Sequence, residues 1–346
     1  MTEKIGIIGR MADGAQLYDG QTVLTRLLRD ELEKKSDGPV YCVDTYRYKQ
    51  RCVMTFLRTI ICLFRCKHIF VLLSRNGRRF YFPFLYYANK LFKRRIYHRV
   101  IGGTLDVGIR EYPGWVRYLN SFVVNWTEGH GQKVRAQELG VNNAVETVNF
   151  KPARIIGADE FPDYQQPPYR FCTFCRVTKP KGIDEAIKAI IRINEQRGAV
   201  AQLDVYGPMD EEFRAEFETL VEQAGGAVRY MGSVPYDKCT ETLKDYFVHL
   251  FPTTWRGEGM PGTLVDAFAA GLPTIATDWN MNTEVLTQDI TGICYDWQQP
   301  EQLEQWMLWA IDHPEKIAAM RPNCTAEAVK YTPEVAMQQV WAAMEG

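Results

Sequence analysis

The residues best suited to chemistry lie between positions 251 and 292, FPTTWRGEGMPGTLVDAFAAGLPTIATDWNMNTEVLTQDITG. An apolar strand ends at Pro252, a polar glycine-rich loop follows, and a helix opens near Pro261-Gly262-Thr263. Proline and glycine at that point leave backbone amides unpaired at a helix N-terminus, which suits an anion. Glu258 stands on the loop with Gly259 beside it, and Asp266 follows on the first turns of the helix, facing the same cleft. A carboxylate so placed can accept hydrogen bonds from vicinal hydroxyls. Carboxylates for hydroxyls beside amides for phosphate are what a nucleoside-diphosphate sugar requires.

The elements that must position these residues alternate strand and helix along the whole chain. KIGIIGR, PVYCVDTY, HIFVLLS, RRIYHRVIGG, SFVVNWTE and AVETVNF read as strands of a first half. Helices are expected over 21–35, 51–66, 80–92 and near 131–139, with a turn at Asn76-Gly77. The pattern restarts after a proline-rich stretch, DEFPDYQQPPY, with FCTFCRV, AQLDVYG, VRYMG, FVHLFPT and PTIATD as strands between helices. Such alternation predicts parallel βαβ units with helices on both faces. The fold class is therefore α/β, two doubly wound Rossmann-like domains facing a central cleft. The expected boundaries are 1–160 for a basic, acceptor-binding domain and 166–330 for a nucleotide-sugar-binding domain, with a helix over 331–346 packing back on the first. Ligands in such sheets bind at the carboxyl ends of the strands. The first loop, GIIGRMADG, lacks the GxGxxG spacing of a dinucleotide fold, which disfavours a nicotinamide enzyme.

A chain of 346 residues is long enough for two cores, and 46% apolar with 24% charged residues is ordinary globular composition. No apolar run is long enough to span a membrane, and the first residues lack a signal-peptide core, so a cytoplasmic protein is expected. The nine cysteines are scattered, and Cys172 and Cys175 sit three apart in a strand, pointing to opposite faces. They read as packing residues. The five histidines show no ligand spacing, so neither a metal nor a cofactor is expected.

The segment 251–292 resembles the donor-site signature of the retaining family 4 glycosyltransferases of GT-B fold, an acidic residue, seven intervening residues and a glutamate. Glu258 and Asp266 occupy those positions, followed by the turn from Ala267 to Pro273, Glu284 and Gly292. The second acid is one methylene shorter than the signature's, and Met260-Pro261 replaces its aromatic–glycine pair. A second feature is similar: in FCRVTKPKG, Arg176 and Lys181-Gly182 match the arginine and lysine–glycine that clamp the donor's diphosphate. The resemblance implies a retaining, metal-independent transfer from a UDP- or GDP-sugar. Arg176 and Lys181 would neutralise the leaving β-phosphate, helped by amides near Gly262 and Thr263. Glu258 would hold the sugar's hydroxyls and Asp266 the ribose. Nucleotide-sugar epimerases share this fold, and a non-catalytic binding module is the third alternative.

The charge is distributed unevenly. Residues 45–103 contain 14 Lys and Arg and no Asp or Glu, whereas the rest has 27 bases against 42 acids. Within this window Val53, Phe56, Leu57, Ile60, Leu63 and Phe64 fall on one arc of a helix, and Arg51, Arg58 and Arg65 on the opposite one. The apolar stripe reads as packing on the sheet. The acid-free window points to an anionic membrane surface, on the cytoplasmic face, and fits a glycan or lipid-linked acceptor such as a growing cell-surface oligosaccharide. No nucleic-acid motif accompanies it. Gly14, Gly20 and Asn76, at strand ends, are the expected acceptor-side residues.

Overall fold

The computed structural model describes residues 4–15, 20–36, 38–164 and 166–346. The chain divides into two compact units, Met1–Lys151 with Pro333–Gly346, and Pro152–Thr332. Each is built on a six-stranded parallel sheet.

The first unit runs β1 (Ile5–Gly9), α1 (Gly20–Lys35), β2 (Tyr41–Asp44), α2 (Cys52–Arg65), β3 (His68–Leu72), α3 (Arg75–Phe92), β4 (Arg95–Arg99), α4 (Leu105–Glu111), α5 (Trp115–Leu119), β5 (Val124–Glu128), α6 (His130–Glu138) and β6 (Ala144–Thr147). The strand order is β2-β1-β3-β4-β5-β6. β1 and β3 are buried along their whole length, as strands covered on both faces must be, which is why they read as unbroken apolar runs.

The second unit runs β7 (Tyr169–Phe174), α7 (Ile183–Arg197), β8 (Ala201–Tyr206), α8 (Glu211–Gln223), β9 (Val228–Gly232), α9 (Cys239–Leu243), β10 (Val248–Phe251), α10 (Gly262–Ala269), β11 (Thr274–Thr277), α11 (Asn282–Val285), β12 (Gly292–Tyr295), α12 (Gln302–Asp312) and α13 (Pro314–Ala328). Its order, β12-β11-β10-β7-β8-β9, reverses direction between β7 and β10. Ile183, Ile187, Ile190 and Ile193 recur at helical spacing on α7 and bury one stripe against Phe171, Leu203 and Leu250. Each such side chain contributes about 1.5–3 kcal/mol on burial.

Three expectations change. Residues 152–160, read with the first half, belong to the second unit: the Ile156 amide donates to the Ala269 carbonyl (3.0 Å). The Asn76-Gly77 turn does not exist, because Ser74 is extended and α3 starts at Arg75, so Asn76 is an exposed first-turn residue. The side chain that fixes this start is Arg78. It is fully buried and donates to the carbonyls of Leu73 (2.8 Å) and Ile101 (2.6 Å), beyond the ends of β3 and β4.

The third change concerns α2. Most of its apolar stripe does not pack on the sheet: of the stripe only Leu63 is fully buried, beside Thr55, Thr59 and Cys62, and Ile60 is half-buried. Close approach explains the choice. A Cβ on Gly6 of β1 would lie 2.4 Å from the Cys62 sulfur and 3.1 Å from that of Cys66, so only small side chains fit beneath the helix. Val53, Phe56, Leu57 and Phe64 are left exposed.

The chain ends in α14 (Pro333–Ala336) and α15 (Gln338–Glu345), which return to the first unit. Ala336, Met337 and Val340 join a core with Leu24 and Leu28, and Arg95 donates to the Ala343 carbonyl (2.9 Å).

Candidate active site

In an open parallel sheet, ligands bind beyond the carboxyl ends of the strands where the order reverses. In the second unit that point lies beyond β7 and β10, and both loops bearing the expected site residues start there. After β7 the chain passes Arg176, makes a single tight turn at Lys179–Lys181 and enters α7 through Gly182. Gly182 has φ +68°, and a Cβ there would lie 2.2 Å from the Pro252 carbonyl oxygen. Only glycine allows this turn to sit against the end of β10. The Thr254 amide donating to the Pro180 carbonyl (2.8 Å) ties the loops together.

The consequence is an ion pair between Lys181 Nζ and Glu258 Oε2. Both side chains are 12% exposed, partly withdrawn from water yet reachable. Glu258 is fixed from three further sides. The Thr253 hydroxyl donates to the same carboxylate oxygen (3.1 Å), the Glu258 amide donates to the Trp255 carbonyl (3.0 Å), and Asn280 donates to the Glu258 carbonyl (3.2 Å). Thr253 is held in turn by the Thr277 hydroxyl on its carbonyl (2.6 Å). The Lys181 ammonium lies 5.0 Å from the Phe251 ring centre.

Arg176 is exposed, with its guanidinium 5.9 Å from the Trp255 ring centre and no ion-pair partner among the described residues. It is available to an anion that Lys181 alone would not neutralise. Gly259 is half-buried on the loop, and Gly262 and Thr263 open α10 behind an extended Pro261. A helix start leaves its first amides without intrahelical acceptors, and a Cβ on Gly262 would meet nothing within 4 Å, so approach there is open. Asp266 is 6% exposed, one turn further along, and is not a solvated surface carboxylate.

Sequence reading missed the support beneath this helix. His249, inside β10 and fully buried, places Nε2 3.3 Å from the Thr263 hydroxyl and Nδ1 3.1 Å from that of Thr274. Burial pushes its pKa down to about 3, so the ring is neutral and hydrogen-bonds without charge. A lone histidine in an apolar run carries no signal of this role. What locates it is the register, which sets His249 opposite Thr274. Trp279, which donates to the Trp255 carbonyl (2.9 Å) and meets Trp297 edge-on, was likewise invisible.

The expected acceptor-side residues lie in the first unit. Gly14, just beyond β1, is exposed with φ +82°, and Gly20 opens α1; a Cβ on either would meet nothing. Asn76 lies on α3. Cys172 is buried within β7 while Cys175 lies just past it; burial raises both thiols, Cys175 to about 11, so they remain protonated packing groups. Among the described residues no group of three or more His, Cys, Asp or Glu could hold a metal ion.

A cationic pair, a braced carboxylate and a helix start beyond one switch point are chemically suited to an anion bearing hydroxyls. Residues 162–326 match the family described as glycosyl transferases group 1. The match runs from before β7 into the last turn of α13. Over 140 residues the chain is 27% identical to the amylovoran biosynthesis glycosyltransferase AmsK of Erwinia amylovora, covering 39% of this chain and 33% of that protein. It is 29% identical over 141 residues to the putative colanic acid biosynthesis glycosyltransferase WcaL of Escherichia coli K12, with the same shares. The matched stretch thus spans one third of each relative. Anabaena HepE, solved in complex with UDP, superposes with a TM-score of 0.75 at 12% identity over 99% of both chains. The architecture is GT-B: two Rossmann-like domains.

Proposed function

We propose that this chain is a retaining, metal-independent hexosyltransferase that moves a sugar from a UDP- or GDP-sugar to a lipid-linked or growing cell-surface oligosaccharide, acting at the cytoplasmic face of a membrane. The observation that carries the reading is the Lys181–Glu258 pair beyond β7 and β10. Support comes from the group 1 match over the unit that holds the pair and from relatives named for amylovoran and colanic acid biosynthesis.

The arrangement suggests how the donor is taken. A diphosphate entering beside Arg176 competes with Glu258 for the Lys181 ammonium. The carboxylate, still braced by Thr253, is then free to accept hydroxyls of the donor sugar. Charge develops on the β-phosphate as the glycosidic bond breaks. Lys181, Arg176 and the amides at Gly262 and Thr263 stabilise that charge in a partly water-excluded site, where fixed donors act most strongly. Asp266 is assigned to the ribose hydroxyls and Gly259 to close backbone approach by the donor.

The test is incubation with a panel of UDP- and GDP-hexoses, with and without oligosaccharide or polyprenyl-linked acceptors, read by mass and by the anomeric configuration of the product. Acceptor-dependent transfer with the donor's configuration kept is expected. Conversion of the donor sugar without any acceptor would replace this reading with an epimerase, and inertness toward every donor with a binding module.

A further inference from the structure

Three tryptophans meet beyond the carboxyl ends of three neighbouring strands of the second sheet. Trp255 follows β10, Trp279 follows β11 and Trp297 follows β12. The Trp279 indole joins the other two: its Nε1 donates to the Trp255 carbonyl (2.9 Å), and its ring meets that of Trp297 edge-on, centres 4.8 Å apart. Trp255 and Trp297 are 38% and 40% exposed, and Trp279 is half-buried. The backbone beneath them is tied down. The Trp297 amide donates to Asp278 Oδ1 (2.9 Å), the Asp278 amide to the Tyr295 carbonyl (2.7 Å), and Asn280, with φ +51°, to the Glu258 carbonyl (3.2 Å). Indole planes fixed before a ligand arrives lose little freedom on binding it.

Chemistry and charge select the occupant. The face of an indole is electron-rich and the ring C–H bonds of a pyranose are electron-poor, so a sugar ring lies flat on such a face. Its hydroxyls then need acceptors at the edge of the platform. Asp278 stands there, exposed, with one carboxylate oxygen on the Trp297 amide and the other accepting nothing among the described residues. An apolar protein surface laid on the tryptophans would strip water from that oxygen and give nothing back. From 257 to 315 the sequence has ten Asp and Glu and no Lys or Arg. This base-free stretch carries Trp279 and Trp297, so it repels a phosphorylated or uronic ligand and admits an uncharged one. Arg176 is confined to the Trp255 end, where the donor's diphosphate is assigned. The Trp255 carbonyl also accepts the Glu258 amide (3.0 Å), so the strip begins beside the carboxylate assigned to the donor sugar. A glycan that is to be extended must come within bonding distance of that sugar.

We propose that Trp255, Trp279 and Trp297 form a carbohydrate-binding strip that takes an uncharged sugar ring of the acceptor glycan. That the glycan is an acceptor rests on the transferase reading above; the strip itself rests on the geometry of the second unit.

The test is retention of the full chain on immobilised oligosaccharides, neutral gluco-, galacto- and manno-oligosaccharides beside uronate-bearing ones, with calorimetric titration of UDP and GDP on the same proteins. Retention on neutral oligosaccharides and not on the uronate-bearing ones is expected. Trp297→Ala should weaken it about tenfold or more, the scale on which a tryptophan anchor is lost from a binding surface. Trp297→Phe should keep most of it, because an aromatic face remains. Trp297 is exposed and lies outside the residues assigned to the diphosphate, so melting curves and nucleotide binding of both variants should match the parent's. No retention on any neutral oligosaccharide, equal retention by Trp297→Ala, or preference for the uronate-bearing set overturns the proposal. So does self-association that Trp297→Ala abolishes in a chain that retains no oligosaccharide. Nucleotide binding without glycan retention removes the strip and leaves the transferase reading standing; glycan retention without nucleotide binding does the reverse.

Discussion

Both units bury arginines against backbone carbonyls, at opposite ends of their sheets. In the first unit Arg78 and Arg99 cap carbonyls just past the strands, at Leu73, Ile101 and Val148. In the second, Arg321 of α13 reaches the carbonyls of Tyr246, Phe247 and Gly271, ahead of β10 and β11. The carboxyl end of the first sheet is thus occupied by the protein's own cations. The second sheet keeps its cations there, Arg176 and Lys181, accessible. Two copies of one architecture therefore differ in whether charge at the mouth of the sheet is structural or available. The proposed function rests on that difference, since the fold itself is common to both.

The largest effect that would break this contrast is Lys181→Ala. Loss of one preorganised donor to a developing oxyanion costs about 10²–10³ in rate, so transfer should fall by at least that factor with melting unchanged. Near-normal turnover would mean that Lys181 merely braces Glu258. Next in size is Arg78→Met, which leaves the Leu73 and Ile101 carbonyls without their donor. It should destabilise the first unit by about 2–3 kcal/mol in denaturant unfolding while donor binding by the intact protein is retained. A pH-dependent effect sharpens the comparison by acting on both units. His98 in β4 and His249 in β10 are each pushed down to about 3, by burial in both cases and by Arg78 as well for His98. Their unfolded value is near 6.5, so between about 6.5 and 3 the unfolded chain binds protons that the folded chain does not. Stability should be full above pH 6.5 and decline on acidification, by up to about 1.4 kcal/mol per pH unit for each histidine. Melting temperatures measured from pH 7.5 to 5 check the sign.

Much of this was legible from residue order. Strand–helix alternation predicted two doubly wound units because period and loop length fix βαβ topology. Glu258 was read from its place on the loop after a strand, and Arg176 and Lys181 from the resemblance to the donor-site signature. That Lys181 and Glu258 bond each other was not legible. They are 77 positions apart, and the approach depends on Gly182 fitting under the Pro252 carbonyl. Nor does periodicity say which side of an amphipathic helix meets a sheet. On α2 the steric limit at Gly6 left most of the apolar stripe outside. At Asn76-Gly77 a turn-like dipeptide was overruled by the buried Arg78 that secures the start of α3.

The central claim is that the mouth of the second sheet holds a nucleoside diphosphate through Lys181. Titration calorimetry with UDP and GDP on the parent chain and on Lys181→Ala tests it most directly. Binding of one of the two by the parent, weakened at least tenfold in the variant, is the predicted result. Equal affinity in both proteins, or no binding of either nucleotide by the parent, would contradict it.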